Sequence, residues 1–342
     1  MSIPGIINPE LTKPIVSIII PCYNEQETIA SLLTAIYHQS YPLQRIEVVV
    51  ADGMSSDNTR QVIQTFIADH PDLAIRVIDN PERIIPKALN RAIDAAQGEI
   101  IVRLDAHSLP QEDYIEKCVA ALEQKLAENV GGLWEIEASA QTWIARSIAV
   151  AAAHPLGAGD ARYRVGGEAQ YVDTVPFGAF WKSLFERIGK FNENLLTNED
   201  YEFNTRIRLN GGKIWFDPAI RTKYFARKNL VELARQYWRY GYWKARMLQI
   251  YPKTLRWRQL LPPLFVLSLL ILLFLSPFMS LARYLLLFVV GSYLLVLLSI
   301  GFHQALRQKK GYLFVGLPLS MATMHLVWGI AFLWSIVTAN GK

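Results

Sequence analysis

Asp105 and His107 stand two residues apart in Arg103-Leu104-Asp105-Ala106-His107-Ser108, directly after the apolar run that begins at Ile100. A carboxylate and an imidazole on one loop can turn toward a single cation, although the same pair also fits a solvated turn. A second acidic group, Glu199, Asp200 and Glu202, follows Leu196-Thr197-Asn198 and enters a helical pattern that runs to Leu209 and stops at Gly211-Gly212. Thr197 or Asn198 as cap with acids in the first turn is ordinary helix-start chemistry. That accounts for acids here but not for their density. Two further polar clusters, Pro21-Cys22-Tyr23-Asn24-Glu25 and Asp52-Gly53-Met54-Ser55-Ser56-Asp57-Asn58-Thr59, each follow an apolar run. Asp57 in the second also reads as a helix N-cap.

Such side chains need a rigid base, and the surrounding pattern predicts one. Ile15–Ile20, Ile46–Ala51, Ala74–Ile78 and Glu99–Leu104 read as strands, separated by helical segments at Glu25–His38, Asp57–Asp69 and Ile84–Ala96. Alternation of this kind predicts a parallel α/β sheet, whose ligands bind in the loops at the strands' carboxyl ends. There an Asp can accept from a base N–H or a ribose hydroxyl, and Tyr23 offers a stacking face. No G-x-G-x-x-G follows the first strand and no G-x-x-x-x-G-K-[ST] occurs, so neither a dinucleotide fingerprint nor a P-loop is expected.

Composition sets the context. Half of the 342 residues are hydrophobic (51%), and the excess lies after residue 259. Approximately Leu260–Met279, Tyr284–Phe302 and Tyr312–Val337 meet the length of about 20 residues that crosses hydrocarbon. Arg256 and Arg258 before the first, with Arg307, Lys309 and Lys310 between the second and third, predict those sides cytosolic and the C-terminus outside. His325 inside a span reads as hydrogen-bonded to a neighbouring helix. No signal peptide is expected in Met1–Val16, and two cysteines, Cys22 and Cys118, make no disulfide framework. The net charge is +5, and the basic residues crowd between Arg221 and Arg258, which favours an anionic membrane surface over nucleic acid. Asn229 to Met247 mixes aromatics with cations and reads as an interfacial helix.

Taken in order, Tyr23-Asn24-Glu25, Asp52-Gly53-x-Ser55-x-Asp57-x-Thr59 and Asp105-Ala106-His107 resemble the motifs of family 2 glycosyltransferases of GT-A fold, and the resemblance runs from residue 15 to about 258. Arg103-Leu104-Asp105-Ala106-His107-Ser108 looks most like bacterial exopolysaccharide enzymes of the succinoglycan glucosyltransferase type. The resemblance implies an α/β GT-A (Rossmann-like) nucleotide-sugar domain at residues 1–228, to which the apolar and charge patterns above add an amphipathic interfacial segment at 229–258 and about three transmembrane helices at 259–342. It implies donor contacts from Pro21, Tyr23, Asn24, Glu25, Asp52, Ser55, Arg83, Lys87, Arg103 and Asp105. Asp105 and His107 would hold a divalent cation, Mn²⁺ or Mg²⁺; His107 departs from the family's second carboxylate, and it either serves as a ligand, where an imidazole suits Mn²⁺ somewhat better, or contacts a phosphate oxygen directly. The catalytic base aligns with Asp200, beside Glu199, with Glu202 as a fallback. Val172–Phe180 resembles the strand that faces the sugar, where Gly178 and Ala179 would leave room for a pyranose or simply allow close packing.

Gln236-x-x-Arg239-Tyr240 resembles the Gln-x-x-Arg-Trp motif of membrane polysaccharide synthases, with Tyr240 in place of Trp, and implies acceptor contacts from these three residues. The expected activity is inverting transfer from a nucleotide sugar, UDP-linked, to a lipid-linked or polysaccharide acceptor in exopolysaccharide assembly. Location at the inner (plasma) membrane as a multi-pass protein, with a cytoplasmic catalytic domain and other assembly proteins as partners, goes with it. Transfer directly to polyprenyl phosphate, or a non-catalytic nucleotide-sugar-binding subunit, are the alternative readings.

Overall fold

The computed structural model describes residues 13–254 and 256–339. Expectations placed on residues 1–12 and 340–342, and on the Arg258 side chain, lie outside the described residues. In chain order the first elements are β1 (Val16–Cys22), α1 (Ile29–Tyr37), β2 (Ile46–Asp52), α2 (Thr59–Asp69), β3 (Ala74–Asp79), α3 (Ile85–Ala95), β4 (Ile100–Arg103), β5 (Leu109–Pro110), α4 (Tyr114–Glu123) and β6 (Asn129–Ala138). Then come α5 (Trp143–Ala153), α6 (Pro155–Ala158), α7 (Arg162–Val165), β7 (Gln170–Tyr171), β8 (Ala179–Trp181), α8 (Ser183–Ile188), α9 (Glu199–Leu209) and β9 (Ile214–Ala226). Helices α10 (Leu230–Ile250), α11 (Trp257–Leu275), α12 (Ser280–Gln308) and α13 (Leu313–Ala339) finish the chain. The chain divides into two compact units, Met1–Glu135 with Gly166–Tyr224, and Ile136–Val165 with Phe225–Lys342.

The first unit is built on a sheet of order β3-β2-β1-β4-β8-β6-β9-β5, with β7 paired to β9. The four expected strands are present and mutually parallel, whereas β8 joins β4 antiparallel. Strands β1, β2 and β4 are apolar on both faces and almost wholly buried, which is why they read as continuous apolar runs. Their register aligns Cys22 with Asp52 and Asp52 with Asp79. The loops that carry the polar clusters therefore leave the sheet from one edge.

At the opposite edge a single carboxylate ties four segments together. Glu47 on β2 accepts from the Ser17 hydroxyl on β1, from the Gln97 and Gly98 amides before β4, and from Arg76 on β3. Gly98 is required there, because a Cβ would lie 2.5 Å from Ser17 Oγ. Helix α1 begins at Ile29, later than the expected Glu25, because Glu25–Thr28 form a turn that serves the neighbouring loop.

The second unit gathers residues 136–165 with the C-terminal helices, so the units do not meet at a single boundary near residue 228. The reason is apolar packing: Ile148, Ala149 and Ala151 of α5 share one buried cluster with Leu233 and Tyr237 of α10 and Leu317, Met321 and Met324 of α13. Among the described residues, two helices are long and apolar enough to cross a membrane, Ser280–Gln308 and Leu313–Thr338. The first expected span is shorter, its apolar stretch being Gln259–Leu275 with Pro262 and Pro263 inside. His325 does bond to a neighbouring helix: Nδ1 lies 3.0 Å from the Tyr293 hydroxyl of α12, and Nε2 lies 2.8 Å from the Leu156 carbonyl.

Burial opposes the charge on Glu47, but its hydrogen bonds and Arg76 outweigh burial and hold its pKa below the ordinary 4.5. Its stabilisation is therefore present above about that pH and is lost as pH falls through the depressed value. Glu47→Gln should cost about 1–3 kcal/mol, because amide donors lose an ionised acceptor. Urea titrations of the detergent-solubilised chain at neutral and acid pH check this, and the gap between variant and parent should narrow on acidification.

Candidate active site

The loops after β1 and β2 are stitched together by side chains that cap each other's backbone. Asn24 N donates to Ser55 Oγ (2.9 Å) while Ser56 N donates to Asn24 Oδ1 (2.8 Å). Glu25 N donates to Thr59 Oγ1 (2.8 Å), and Asn58 N to Gln26 Oε1 (2.9 Å). Asn24 adopts a left-handed φ of 54°, a conformation Asn tolerates better than most residues. Asp57 is not the cap residue of α2, which is Asn58, but its Oδ1 accepts from Thr59 N and Oγ1 at 3.0 and 2.5 Å.

Asp52 is fully buried beneath this pair of loops. Its Oδ1 accepts from Ser55 Oγ (2.5 Å), and its Oδ2 from Ser55 N (3.1 Å) and Arg60 Nε (2.5 Å). Arg60 also reaches Asp79 at the end of β3 (2.5 Å), so one guanidinium joins two strand ends. Sequence reading missed Arg60. The available signal was a cation in the first turn of a helix, against the dipole, which implies nearby acids holding it. Pro21 lies within β1 opposite Ala51. Tyr23 is exposed, with the Arg83 guanidinium 5.4 Å from its ring centroid. Lys87, by contrast, faces Glu82 (3.3 Å), which also holds Arg91 (2.9 Å).

The second cluster is organised by Arg103, which is almost fully buried at the end of β4. Its Nη2 lies 2.8 Å from Glu199 Oε1, and its Nε and Nη2 each lie 3.2 Å from Asp105 Oδ1. Burial opposes a charge on Arg103, but Asp105, Glu199 and Asp200 overcome it and raise its pKa. Its Nη1 is buried with no hydrogen-bond partner among the described residues. Asp200, partly exposed beside Glu199, accepts from Tyr201 N at 2.7 Å. Burial raises the pKa of both Glu199 and Asp200, and Arg103 only partly counters it. A raised pKa makes a carboxylate a better proton acceptor.

Helix α9 starts at Glu199 as the pattern predicted, but Asn198 caps it in a left-handed conformation (φ 67°) without a side-chain cap bond. Glu202 is removed from the candidates for proton transfer. It is 1% exposed, and Arg206 donates to both of its oxygens at 2.7 and 3.0 Å. Gly178 is needed for its own geometry, because its φ is +89° and a Cβ would lie 2.5 Å from Asn129 Oδ1.

His107 Nδ1 lies 3.1 Å from Glu25 Oε1. Glu25 can only accept there, so Nδ1 carries the proton, the arrangement in which a carboxylate orients an imidazole for coordination through Nε2. Among the described residues no group of three or more His, Cys, Asp or Glu gathers as a metal cage. Asp105 and His107 alone would leave most positions of a cation to ligand oxygens and water. The structure brings together Asn24 with Ser55, Tyr23 with Arg83, Glu25 with His107, and Arg103 with Asp105 and Glu199. Gln236, Arg239 and Tyr240 lie on α10 in the second unit, where Gln236 Nε2 donates to the Tyr240 hydroxyl (3.0 Å) and Arg239 is exposed.

The sequence model described as Glycosyl transferase family 2 matches residues 17–189. Succinoglycan biosynthesis protein ExoA of Rhizobium meliloti is 28% identical over 325 residues, covering 94% of this chain and 95% of that protein. A Methanococcus voltae transferase, named as a dolichyl N-acetyl-alpha-D-glucosaminyl phosphate 3-beta-D-2,3-diacetamido-2,3-dideoxy-beta-D-glucuronosyltransferase, is 29% identical over 68% of this chain and 74% of its own length. Among solved structures, mannosyltransferase PcManGT from Pyrobaculum calidifontis in complex with GDP-Man and Mn²⁺ superposes with a TM-score of 0.62. It has 21% identity and covers 95% of this chain and 88% of that one, which shows a common fold of GT-A type.

Glu202→Gln should lower stability by about 3–5 kcal/mol, since Arg206 would be left without its charged partner. The urea midpoint of the purified variant measures this, and an unchanged midpoint would contradict a structural role for Glu202.

Proposed function

This chain belongs to glycosyl transferase family 2, and we propose that it is an inverting glycosyltransferase carrying a sugar from a UDP-linked donor to a lipid-linked saccharide during assembly of an exopolysaccharide or other surface glycan. The observation that carries this reading is the cluster at the end of β4: Arg103 holds Asp105 and Glu199 within 3.2 Å, with Asp200 beside Glu199 and His107 oriented by Glu25. Kinship along nearly the whole chain to a succinoglycan biosynthesis protein supports the glycan class.

In this reading Tyr23 and Arg83 receive the base, and Asp52 with Ser55 and Asn24 shapes the nucleoside pocket. Asp105 and His107 would hold a divalent cation, which when bound neutralises the departing diphosphate so that no protein acid is required. Only one carboxylate is then needed, in contrast to the pair used where a sugar oxygen must be protonated. Asp200 accepts the proton of the attacking hydroxyl, and attack opposite the leaving group inverts the anomeric centre. Glu199 is held by Arg103 and positions it. Arg103 Nη1 is a buried donor that a sugar oxygen would satisfy. Gln236, Arg239 and Tyr240 are assigned to the acceptor on motif resemblance. The apolar C-terminal helices anchor the chain to a membrane, with the catalytic unit in the cytosol.

The test is to incubate membranes with a panel of radiolabelled nucleotide sugars and extract lipid. Label should enter a lipid-linked saccharide that contains more than one sugar. A product with a single sugar on polyprenyl phosphate would instead favour the direct reading. Excess chelator should abolish transfer.

Asp200→Asn should lower kcat by about 10²- to 10⁴-fold with little change in donor affinity. Asp52→Asn should do the converse, weakening donor binding while leaving chemistry at saturation. Isothermal titration with UDP-sugar, read beside transfer rates, separates the two. A near-parental rate for Asp200→Asn would move the base to Glu199.

Asp200 must be ionised to accept a proton, and burial raises its pKa above the ordinary 3.8. At saturating donor kcat should therefore fall as pH drops through a midpoint above 3.8. A plateau extending below that value would exclude Asp200 as base.

A further inference from the structure

The second unit holds its longest helices in an arrangement that bears on how it meets a membrane. Helix α10 runs along α13. Leu233 and Tyr237 share a buried cluster with Leu317, Met321 and Met324, and Gly241 abuts the Trp328 carbonyl so closely that a Cβ would sit 2.3 Å from it and 3.2 Å from Ala331 Cβ. From Leu317 to Ala331 is about 21 Å at about 1.5 Å per residue. This is most of the thickness of a bilayer's hydrocarbon core, about 30 Å. What remains of α13 on either side is too short to cross it alone.

Helix α10 is unsuited to that core. Its stretch beside α13 carries Arg235, Arg239, Lys244 and Arg246, of which Arg235 and Arg239 are exposed. Charges of this number in hydrocarbon are strongly disfavoured. A second polar feature meets the middle of α13. The Leu156 carbonyl of α6 accepts from His325, four residues before Asp160, which pairs with Arg256 at 3.2 Å. Helix α12 lies along the same part of α13: Gly301 faces the Phe314 carbonyl and Pro318 ring, and Tyr293 reaches His325. Helices α10 and α12 and the α6 carbonyl thus all meet α13 between Phe314 and Ala331, and charged and backbone-polar groups come with them.

The exposed surface of α12 is apolar. Leu281, Leu285, Phe288, Leu295, Leu298 and Phe302 of α12 are exposed along its length. Cations stand at both of its ends, Arg283 at one and Arg307, Lys309 and Lys310 at the other.

We propose that the second unit is monotopic: α13 is its buried core helix, and α11 and α12 lie along one leaflet with their exposed apolar residues in its hydrocarbon, so that the chain enters the bilayer without crossing it. The inference rests on the membrane association proposed above and departs from the three crossings expected from hydropathy. Hydropathy counts apolar residues but does not see that one apolar face of α13 is taken up by α10.

The test uses the full chain in spheroplasts and reads three positions. Green fluorescent protein and alkaline phosphatase are fused in turn after the last residue, and a biotin-acceptor tag is inserted at Gln308 or at Ser276, with Met279 as the alternative if insertion at Ser276 abolishes transfer. The expected result is recovery in the membrane fraction, a fluorescent C-terminal fusion, phosphatase activity no higher than a cytosolic control, and biotinylation by a cytosolic ligase at both tags. Active phosphatase at the C-terminus overturns the proposal by showing that α13 ends across the bilayer. A cytosolic C-terminus with an unbiotinylated α11–α12 turn overturns it in favour of a crossing hairpin. Recovery of the chain in the soluble fraction would overturn the membrane association itself, separately from its geometry.

Discussion

One buried guanidinium balances the candidate active site. Arg103 ends β4 in the interior, where a charge without partners could not be held, and it donates to Asp105 and Glu199 within 3.2 Å. The dependence is mutual. Asp105 belongs to the loop after a central strand and Glu199 to the first turn of a helix 96 residues later, so Arg103 joins parts of the chain that no local rule brings together. Asp200 escapes direct pairing with it and keeps a raised pKa from burial. The same cation thus permits several carboxylates in a small volume while pairing directly with only Asp105 and Glu199.

A similar economy governs the nucleotide edge. Asp52 has no exposure, and its oxygens are occupied by Ser55 and Arg60, so it shapes the loop before it can touch a ligand. The left-handed residues Asn24, Met54 and Arg83 all lie in the loops at this edge. Positive φ at non-glycine residues persists only where surrounding bonds hold it, and the reciprocal Asn24–Ser55–Ser56 bonds supply that at the first of them. Tyr23 is left exposed beside Arg83, a flat face with a cation over it.

The C-terminal half poses a different problem, since apolar composition constrains where a helix can be but not what covers it. Helices α12 and α13 are both long enough to span hydrocarbon, yet the span-like window of α13 is 44% buried and that of α12 only 11%. The difference decides their roles: α13 is a scaffold for α5 and α10, and α12 presents its surface outward. Residues 136–165 belong to this unit because the apolar face of α5 finds its partners there.

Local pattern made the parallel strands, their order of appearance and the polar loops at their ends legible, because backbone burial on both faces requires continuous β-branched runs and helices between them require apolar periodicity. The family resemblance grouped Asp105, His107, Glu199 and Asp200 as one expected site, and the fold gathers Asp105, Glu199 and Asp200 around Arg103. What the tertiary structure decided were pairings across long sequence separations: Arg103 with Glu199, Glu25 with His107, and Arg60 with both Asp52 and Asp79. It also separated acids that look alike in sequence, pairing the buried Glu202 with Arg206 while Asp200 is half-buried beside Glu199. Those outcomes depend on which side chains share a buried volume. A chain's linear order records the types and periodicity of its residues, and only the packed fold determines which charges must neutralise one another.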